Sequence, residues 1–312
     1  MKREKILCRV LTGPTASGKT ELAMHLAEEL DLAIICMDSM QIYRRLDIGT
    51  AKPSPEDRRK IPHYLFDICE PYEAFNVSLY RDLAEKTVAE ITKEQGKEVL
   101  FVGGTGLYLS ALLHPMDMGS APADEYLREE LRKVAVSDEG RKKLHDLLRK
   151  MDPESAERLP YNDVRRIIRA IEVTRTTGIP FSKQPKREKD SPFEWSVVST
   201  YMCREELYRK INQRVDRMIK DGLFDEVKSL LNEGVPENAQ SMQGLGYKEM
   251  IPCVKGICSI EDAAESIRIG TRHYAKRQET YLKKEKNTVY INTGEKDAYR
   301  KLRKHMIGED VI

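Results

Sequence analysis

The stretch GPTASGKT, residues 13–20, decides the fold of this chain of 312 residues. It matches the pattern G-x-x-x-x-G-K-[ST] of a phosphate-binding loop. An apolar run at residues 6–11 precedes it, and residues 21–30 follow it with leucine at every fourth position from Leu22 to Leu30. The motif therefore lies where a strand passes into a helix, which is the context that it requires. This context disfavours a tight turn with an incidental lysine.

The chemistry of this loop suits a polyphosphate. Glycines allow backbone N–H groups to point at an anion, and the start of the following helix adds a partial positive charge. Lys19 supplies a cation for phosphate oxygens, and the Thr20 hydroxyl can ligate Mg²⁺. We expect the diphosphate or nucleotide site to consist of Gly13, Pro14, Thr15, Ala16, Ser17, Gly18, Lys19 and Thr20.

The composition is that of a globular protein of about two domains. Hydrophobic residues make up 40% and charged residues 33%, and the net charge of +2 is too small to indicate a partner. No run reaches the roughly 20 apolar residues that span a bilayer, and no signal or transit peptide is visible. We therefore expect a cytoplasmic protein that does not contact membranes. The six cysteines lack the spacing of a zinc site, so we expect free thiols.

Three apolar runs of strand length, residues 6–11, 32–37 and 98–102, alternate with helical patterns. This alternation predicts an α/β fold with a parallel sheet of the P-loop NTPase type.

The region between the third of these runs and the next strand pattern, at residues 195–202, has a different texture. Residues 122–192 carry helical spacing without a convincing strand. We predict a catalytic core formed by residues 1–115 and 195–312, interrupted by a mostly helical insertion domain at residues 116–194.

Ligands of such sheets collect at the carboxyl ends of the strands. The segments that follow the three runs are residues 13–20, 38–41 and 103–106, so we expect them to form one site. Asp38 in this position can orient a substrate or accept a proton, although an aspartate before a helix can also be an N-cap. Thr105 can direct a hydroxyl at a ligand. No acidic residue follows the third run, which disfavours a motor-type NTPase and favours a small transferase.

Two predicted helical faces are basic. One carries Arg165, Arg166 and Arg169. The other carries Arg268, Arg272 and Lys276 at four-residue spacing, with Arg277 and Lys283 beside them and Tyr274 and Tyr281 interleaved. A single face of this kind is usually solvated surface. Two such faces favour contacts with nucleic-acid phosphates, and the interleaved aromatic rings permit base stacking. Residues 243–248 form a glycine-rich turn to which the pattern assigns no role.

Eight segments together resemble the tRNA dimethylallyltransferase (isopentenyltransferase) family of the bacterial type. In order they are GPTASGKT (13–20), DSMQIYRRLDIGTAKP (38–53), HYLFDICEPYEAFNVSLY (63–80), VGGTGLY (102–108), NDVRRIIRAIEV (162–173), INQRVDRM (211–218), GLGYKE (244–249) and TRHYAKRQ (271–278). The loop motif occurs in many folds, whereas the second segment is far more specific. The resemblance covers residues 5–284.

The resemblance implies transfer of a dimethylallyl group from dimethylallyl diphosphate to N6 of the adenosine 3′ of the anticodon, in tRNAs that read codons beginning with U. It implies that Lys19 and a Mg²⁺ ion bound by Thr20 neutralise the departing diphosphate, that Arg214 clamps it, and that Asp38 is the general base. Mg²⁺ is the only metal expected.

The resemblance also implies that the target adenosine leaves the anticodon stack and enters a channel. The residues implied to contact the tRNA anticodon stem-loop are Asp38, Ser39, Met40, Gln41, Thr105, Arg128, Arg165, Arg166, Ile167, Ile168, Arg169, Arg272, Lys276 and Arg277. Many relatives carry glutamine at the position of Arg165, so we expect a phosphate contact there rather than base reading. We expect a monomer without an obligate protein partner.

An ATP-dependent small-molecule kinase and a non-catalytic RNA-binding module are the alternatives. The two basic faces disfavour the kinase, because a small acceptor does not need them.

Overall fold

The computed structural model describes residues 5–114, 123–184 and 191–309. It divides the chain into two compact units, one formed by Met1–His114 with Asp190–Ile312 and the other by Pro115–Lys189. The predicted domain boundary after residue 115 lies outside the described residues. None of the helices in the described ranges is long and apolar enough to cross a lipid bilayer.

The first unit is built on a sheet of six strands in the order β3-β2-β4-β1-β5-β6, all of them parallel. The strands are β1 Ile6–Thr12, β2 Ala33–Cys36, β3 His63–Tyr64, β4 Val99–Val102, β5 Phe193–Tyr201 and β6 Thr288–Asn292. The predicted fold class is confirmed. The sequence pattern missed β3, because two residues are too short to form an apolar run.

The α-helices of the described part follow in chain order. They are α1 Lys19–Glu29, α2 Pro55–Lys60, α3 Val77–Glu94, α4 Gly106–Leu113, α5 Glu125–Val134, α6 Asp138–Met151, α7 Pro153–Arg158, α8 Val164–Thr177, α9 Arg204–Lys220, α10 Leu223–Asn232, α11 Tyr247–Val254, α12 Ile260–Leu282 and α13 Ala298–Met306. Of these, α5 to α8 belong to the second unit and the others to the first.

The sheet of the first unit is buried on both faces. Val10 and Leu11 are neighbours in β1 and point to opposite faces, and neither is exposed. Val10 packs in one hydrophobic cluster with Phe101, and Leu11 packs in another with Leu26 of α1. Burial on both faces is typical of parallel sheets covered by helices. It leaves the ends of the strands as the place where polar side chains can gather.

Helices α9 and α12 pack against each other and deliver side chains to the end of the sheet. Helix α9 is amphipathic and buries Leu207, Ile211, Val215 and Met218 at helical spacing. Helix α12 begins with a capping box in which Ser259 and Asp262 bond each other's backbone N–H groups. The cap fixes the start of a helix that runs for 23 residues.

The second unit is a group of helices with its own core. Its charged centre is Glu172 on α8, whose side chain is fully buried. The carboxylate accepts hydrogen bonds from Arg128 (3.0 Å), Arg169 (2.6 Å) and the backbone N–H of Asp124 (2.8 Å). Burial opposes ionisation of Glu172, but these hydrogen bonds outweigh it and hold the pKa of the carboxyl below its usual value. Arg128 and Arg169 therefore both form ion pairs with Glu172.

We predict that Glu172→Gln destabilises the second unit by about 2 kcal/mol at pH 7, because Arg128 and Arg169 lose their carboxylate partner. The loss of stability is limited because both arginines are partly exposed to water. Urea denaturation measures this. Since the folded-state pKa of Glu172 is depressed, the stabilisation is present above its unfolded pKa and is lost as the pH falls through the folded value. Glu125→Gln, which removes an exposed partner of Arg128, is the control and should change stability by less than about 1 kcal/mol. Equal effects of the two variants would contradict the central role of Glu172.

Candidate active site

The phosphate-binding loop joins the end of β1 to the start of α1. Gly13 and Gly18 have positive φ angles of 141° and 83°, which side chains rarely adopt. A Cβ atom at Gly13 would also overlap the Thr200 side chain. The residue before α1, Gly18, provides no side-chain cap, so the first N–H groups of the helix remain directed at a ligand. The loop therefore has the geometry of an anion site.

Three side chains brace this loop. The hydroxyls of Ser17 and Thr200 are hydrogen bonded at 2.6 Å, and Thr200 donates to the Thr12 carbonyl at 3.2 Å. On the other side, Gln278 of α12 accepts a hydrogen bond from the N–H of Thr15 and donates one to the carbonyl of Gly104, each at 2.8 Å. Gln278 therefore ties the phosphate loop to the turn after β4. The segment TRHYAKRQ (271–278) contains Gln278, but the sequence pattern assigned this residue no role.

The residues after β2 and β4 meet. The N–H of Ser39 donates to the Thr105 hydroxyl at 3.0 Å, and that hydroxyl donates to the Ser39 hydroxyl at 3.3 Å. Asp38 is followed by turns rather than by a helix, and its Oδ1 accepts a hydrogen bond from the N–H of Met40 at 2.9 Å. The N-cap alternative for Asp38 is therefore wrong. The backbone holds its carboxylate in a fixed orientation at the end of the sheet.

Arg214 of α9 reaches the same edge. It donates a hydrogen bond to the carbonyl of Thr50 at 3.1 Å. Gln41 donates to that carbonyl at 3.0 Å and to the carbonyl of Ala51 at 3.2 Å. The loop formed by residues 47–51 thus holds Arg214 and Gln41 together.

The charged side chains of Lys19, Arg214 and Asp38 influence one another at this end of the sheet. Burial, and to a lesser extent the Arg214 charge, lower the pKa of Lys19 to about 8, while Asp38 acts in the opposite direction. Burial also lowers the pKa of Arg214, against the favourable charge of Asp38. Burial and Asp38 raise the pKa of Tyr274, which is hydrogen bonded to Thr105. Two cations and a carboxylate therefore share one site, with a neutral phenol beside them.

Tyr274 was predicted only as an aromatic ring within a basic face. Its interactions with Asp38 and Thr105 could not be read from its spacing, because they join α12 to residues that follow β2 and β4.

A cavity of about 500 Å³ opens on the β5 side of the loop and is lined by Pro14, Thr200, Tyr208 and Arg272, among others. Arg272 donates to Asn212 at 2.9 Å and lies over the Tyr208 ring at 5.5 Å. Among the described residues, its lining from the sheet comes from β5 and β6, and Asp38 does not line it.

The predicted basic face of α12 is only partly available. Arg268 forms ion pairs with Asp216 (2.6 Å) and Glu265 (3.1 Å). Lys276 and Arg277 are exposed, and the Arg277 guanidinium lies 5.7 Å from the centre of the Tyr274 ring. Available cations are therefore concentrated in the part of α12 near Tyr274.

In the second unit, the predicted tRNA contacts divide into surface and interior. Arg165 and Arg166 are exposed, and Arg166 pairs with Asp163 at 3.4 Å. Ile167 and Ile168 are buried in the hydrophobic core of this unit. Because these two side chains pack inward, the contact with tRNA that the resemblance implied for them is wrong. Arg128 and Arg169 are the partners of Glu172 described above.

Comparison with known proteins gives a consistent result. The family model described as IPP transferase matches residues 41–285, and the model described as isopentenyl transferase matches residues 6–69. The tRNA dimethylallyltransferase of Pelotomaculum thermopropionicum is 46% identical, covering 93% of this chain and 91% of the relative. That of Lachnoclostridium phytofermentans is 43% identical, covering 91% and 90%.

Solved structures agree with these sequence matches. The tRNA isopentenylpyrophosphate transferase of Bacillus halodurans has a TM-score of 0.72 and 37% identity, covering 98% of this chain and 96% of the other. A eukaryotic dimethylallyltransferase acting on tRNA has a TM-score of 0.81 and 25% identity, covering 98% and 79%.

We predict that Lys19 confers a pH dependence on the binding of inorganic diphosphate. Below pH 8 its ammonium is charged and attracts the anion; above pH 8 the free protein loses this proton, and the contribution of Lys19 falls by up to about tenfold per pH unit. Isothermal titration calorimetry of the wild type and Lys19→Met between pH 7 and pH 9.5 checks this. The comparison cancels the titration of diphosphate itself. The affinity gap between the two proteins should narrow above pH 8, and a constant gap would contradict the lowered pKa.

Proposed function

The chain belongs to the IPP transferase family, and on this basis we propose that it transfers a dimethylallyl group from dimethylallyl diphosphate to the N6 amine of an adenosine in tRNA. It is a transferase that modifies tRNA. The target is the adenosine immediately 3′ of the anticodon in tRNAs that read codons beginning with U. The observation that carries the proposal is the convergence of the phosphate-binding loop, Asp38 and Arg214 at one end of the sheet.

The phosphate loop and its two cations hold the leaving group. When the bond between the allylic carbon and the diphosphate oxygen breaks, its electron pair stays with the diphosphate. The N–H groups at the start of α1, together with Lys19 and Arg214, stabilise the charge that develops on this oxygen. Because that charge is greatest after the bond has lengthened, these contacts lower the barrier.

A magnesium ion fits beside this loop. Thr20 is exposed in the first turn of α1, and the described ranges contain no group of three or more His, Cys, Asp or Glu side chains that could hold a metal. Mg²⁺ would therefore be held by the Thr20 hydroxyl and by diphosphate oxygens, as is common for an ion that retains its water ligands. There it would neutralise charge on the diphosphate.

Asp38 accepts the proton. The N6 lone pair forms the new bond to the allylic carbon, and the amine then carries a proton that must leave. The carboxylate of Asp38, oriented by the N–H of Met40, takes it. An adenine amine is a weak nucleophile, so the fixed placement of base, donor and carboxylate contributes as much as proton removal. The products are N6-(dimethylallyl)adenosine and diphosphate.

The tRNA contacts follow from the exposed cations. Lys276 and Arg277 of α12 bind backbone phosphates of the anticodon stem-loop. Ser39, Met40, Gln41 and Thr105 lie at the edge where the extruded adenine is received. Arg165 and Arg166 are the exposed cations of the second unit that remain predicted tRNA contacts. We propose that the protein acts as a monomer in the cytoplasm.

The direct test incubates the purified protein with dimethylallyl diphosphate and bulk tRNA, followed by mass analysis of the nucleosides. We expect dimethylallyladenosine in the wild type. Asp38→Asn should lower kcat by about 10²- to 10⁴-fold while the affinity for tRNA stays unchanged. Asp31→Asn, at the opposite end of β2, is the control. Unmodified tRNA together with ATP consumption on a small acceptor would instead identify a kinase.

We predict that Lys276→Ala weakens tRNA binding and lowers the slope of log affinity against log salt by about 1, as the loss of one phosphate contact should. Arg268→Ala is a matched control on the same helix, because Arg268 is occupied by Asp216 and Glu265. Filter binding at several salt concentrations measures both. Equal slopes for Lys276→Ala and the wild type would contradict a phosphate contact of Lys276.

A further inference from the structure

The Glu226 carboxylate on α10 organises the loop that contacts Arg214. Its Oε2 accepts hydrogen bonds from the backbone N–H groups of Asp47 (3.0 Å) and Ile48 (2.8 Å). Its Oε1 accepts one from the N–H of Gly49 at 3.1 Å. A single acid thus binds three consecutive N–H groups of one turn.

Tyr247, from the glycine-rich turn to which the sequence pattern assigned no role, holds this acid in place. It is fully buried, and its hydroxyl donates to Glu226 Oε1 at 2.6 Å. Its ring lies against Gly49, where a Cβ atom would come within 2.5 Å of it. Burial and the neighbouring Glu226 raise the pKa of Tyr247 well above its usual range, so the hydroxyl remains a donor.

The next residue of the turn connects this arrangement to the active site. The carbonyl of Thr50 follows the three bound N–H groups directly and accepts the hydrogen bond of Arg214. Helix α9, which carries Arg214, ends at Lys220, and α10 begins at Leu223. Arg214 and Glu226 therefore lie on consecutive helices joined by two residues. The turn is anchored to the same helical pair that supplies the guanidinium.

Lys52 anchors the other end of the turn but has different partners. Its buried ammonium binds Asp47, Asp67 and the carbonyl of Tyr43. These contacts tie the turn to the segments around Tyr43 and Asp67, and none of them involves α9 or α10. Glu226 is the acid that fixes the backbone of residues 47–49 relative to the helix carrying Arg214.

We propose that Glu226, held by Tyr247, is a positioning residue that sets the Arg214 guanidinium against the diphosphate through the Thr50 carbonyl. This rests on the proposed function. Arg214 must lie close to the oxygen on which charge develops, and its position depends on the carbonyl that it binds. A displacement of that carbonyl by about 1 Å is enough to lower the rate on the order of 100-fold.

The experiment compares Glu226→Gln and Tyr247→Phe with Asp225→Asn, a matched control at the exposed neighbouring position on α10. Two quantities are measured: the affinity for inorganic diphosphate and, at saturating tRNA, kcat/KM for dimethylallyl diphosphate. We expect Glu226→Gln to lower kcat/KM by on the order of 10- to 100-fold and to weaken diphosphate binding. Tyr247→Phe, which removes one of four hydrogen bonds, should have a smaller effect in the same direction. Asp225→Asn should resemble the wild type.

A double-mutant cycle separates positioning from a general effect on folding. In an Arg214→Ala background, Glu226→Gln should change kcat/KM by less than about twofold, because the group that it positions is gone. Urea denaturation of each variant gives the folded fraction. An equal loss in both backgrounds, or reduced stability with unchanged kcat/KM, would overturn the proposal.

Failure of the proposed function has a different signature. In that case the wild type would leave tRNA unmodified, while the diphosphate titrations would still test whether Glu226 positions Arg214.

Discussion

The approach of two like charges, Lys19 and Arg214, is the constraint on which the site depends. Burial, together with the neighbouring Arg214 charge, lowers the pKa of Lys19. Contacts at some distance from the charges hold this arrangement: Thr200 and Gln278 fix the loop that carries Lys19, and Glu226 fixes the turn that Arg214 binds. In the function proposed above, a diphosphate relieves this repulsion when it enters, so the rigidity of the surrounding elements contributes to recognition of the ligand.

The sequence predicted most of the fold because the features concerned are local. Strand patterns in the sequence predicted β1, β2, β4 and β5, and the glycine positions of the phosphate loop predicted the turn between β1 and α1. The placement of Asp38 and Thr105 at one edge followed from the general topology of parallel sheets. The strand β3 was missed because pairing with β2, rather than any pattern of its own, makes His63–Tyr64 a strand.

The sequence could not predict contacts between residues that are distant along the chain. Glu226 and residues 47–49 are separated by more than 170 positions, and Gln278 and Thr15 by 263. Helical spacing alone also did not distinguish exposed from buried positions on α8. There, exposed Arg165 and Arg166 adjoin buried Ile167 and Ile168. Whether an arginine is free or paired depends on the fold, as the common partner of Arg128 and Arg169 demonstrates.

The two ends of the Gln278 amide are chemically different, and each end has its own partner. One end must accept from Thr15 and the other must donate to Gly104, so only one of its two orientations satisfies both groups. Glutamate has the same shape but cannot donate when it is ionised, and leucine can do neither. The residue also follows Lys276 and Arg277 directly on a continuous helix. A shift of α12 along its axis would therefore reach the phosphate loop through the Gln278 side chain, without any intervening hinge.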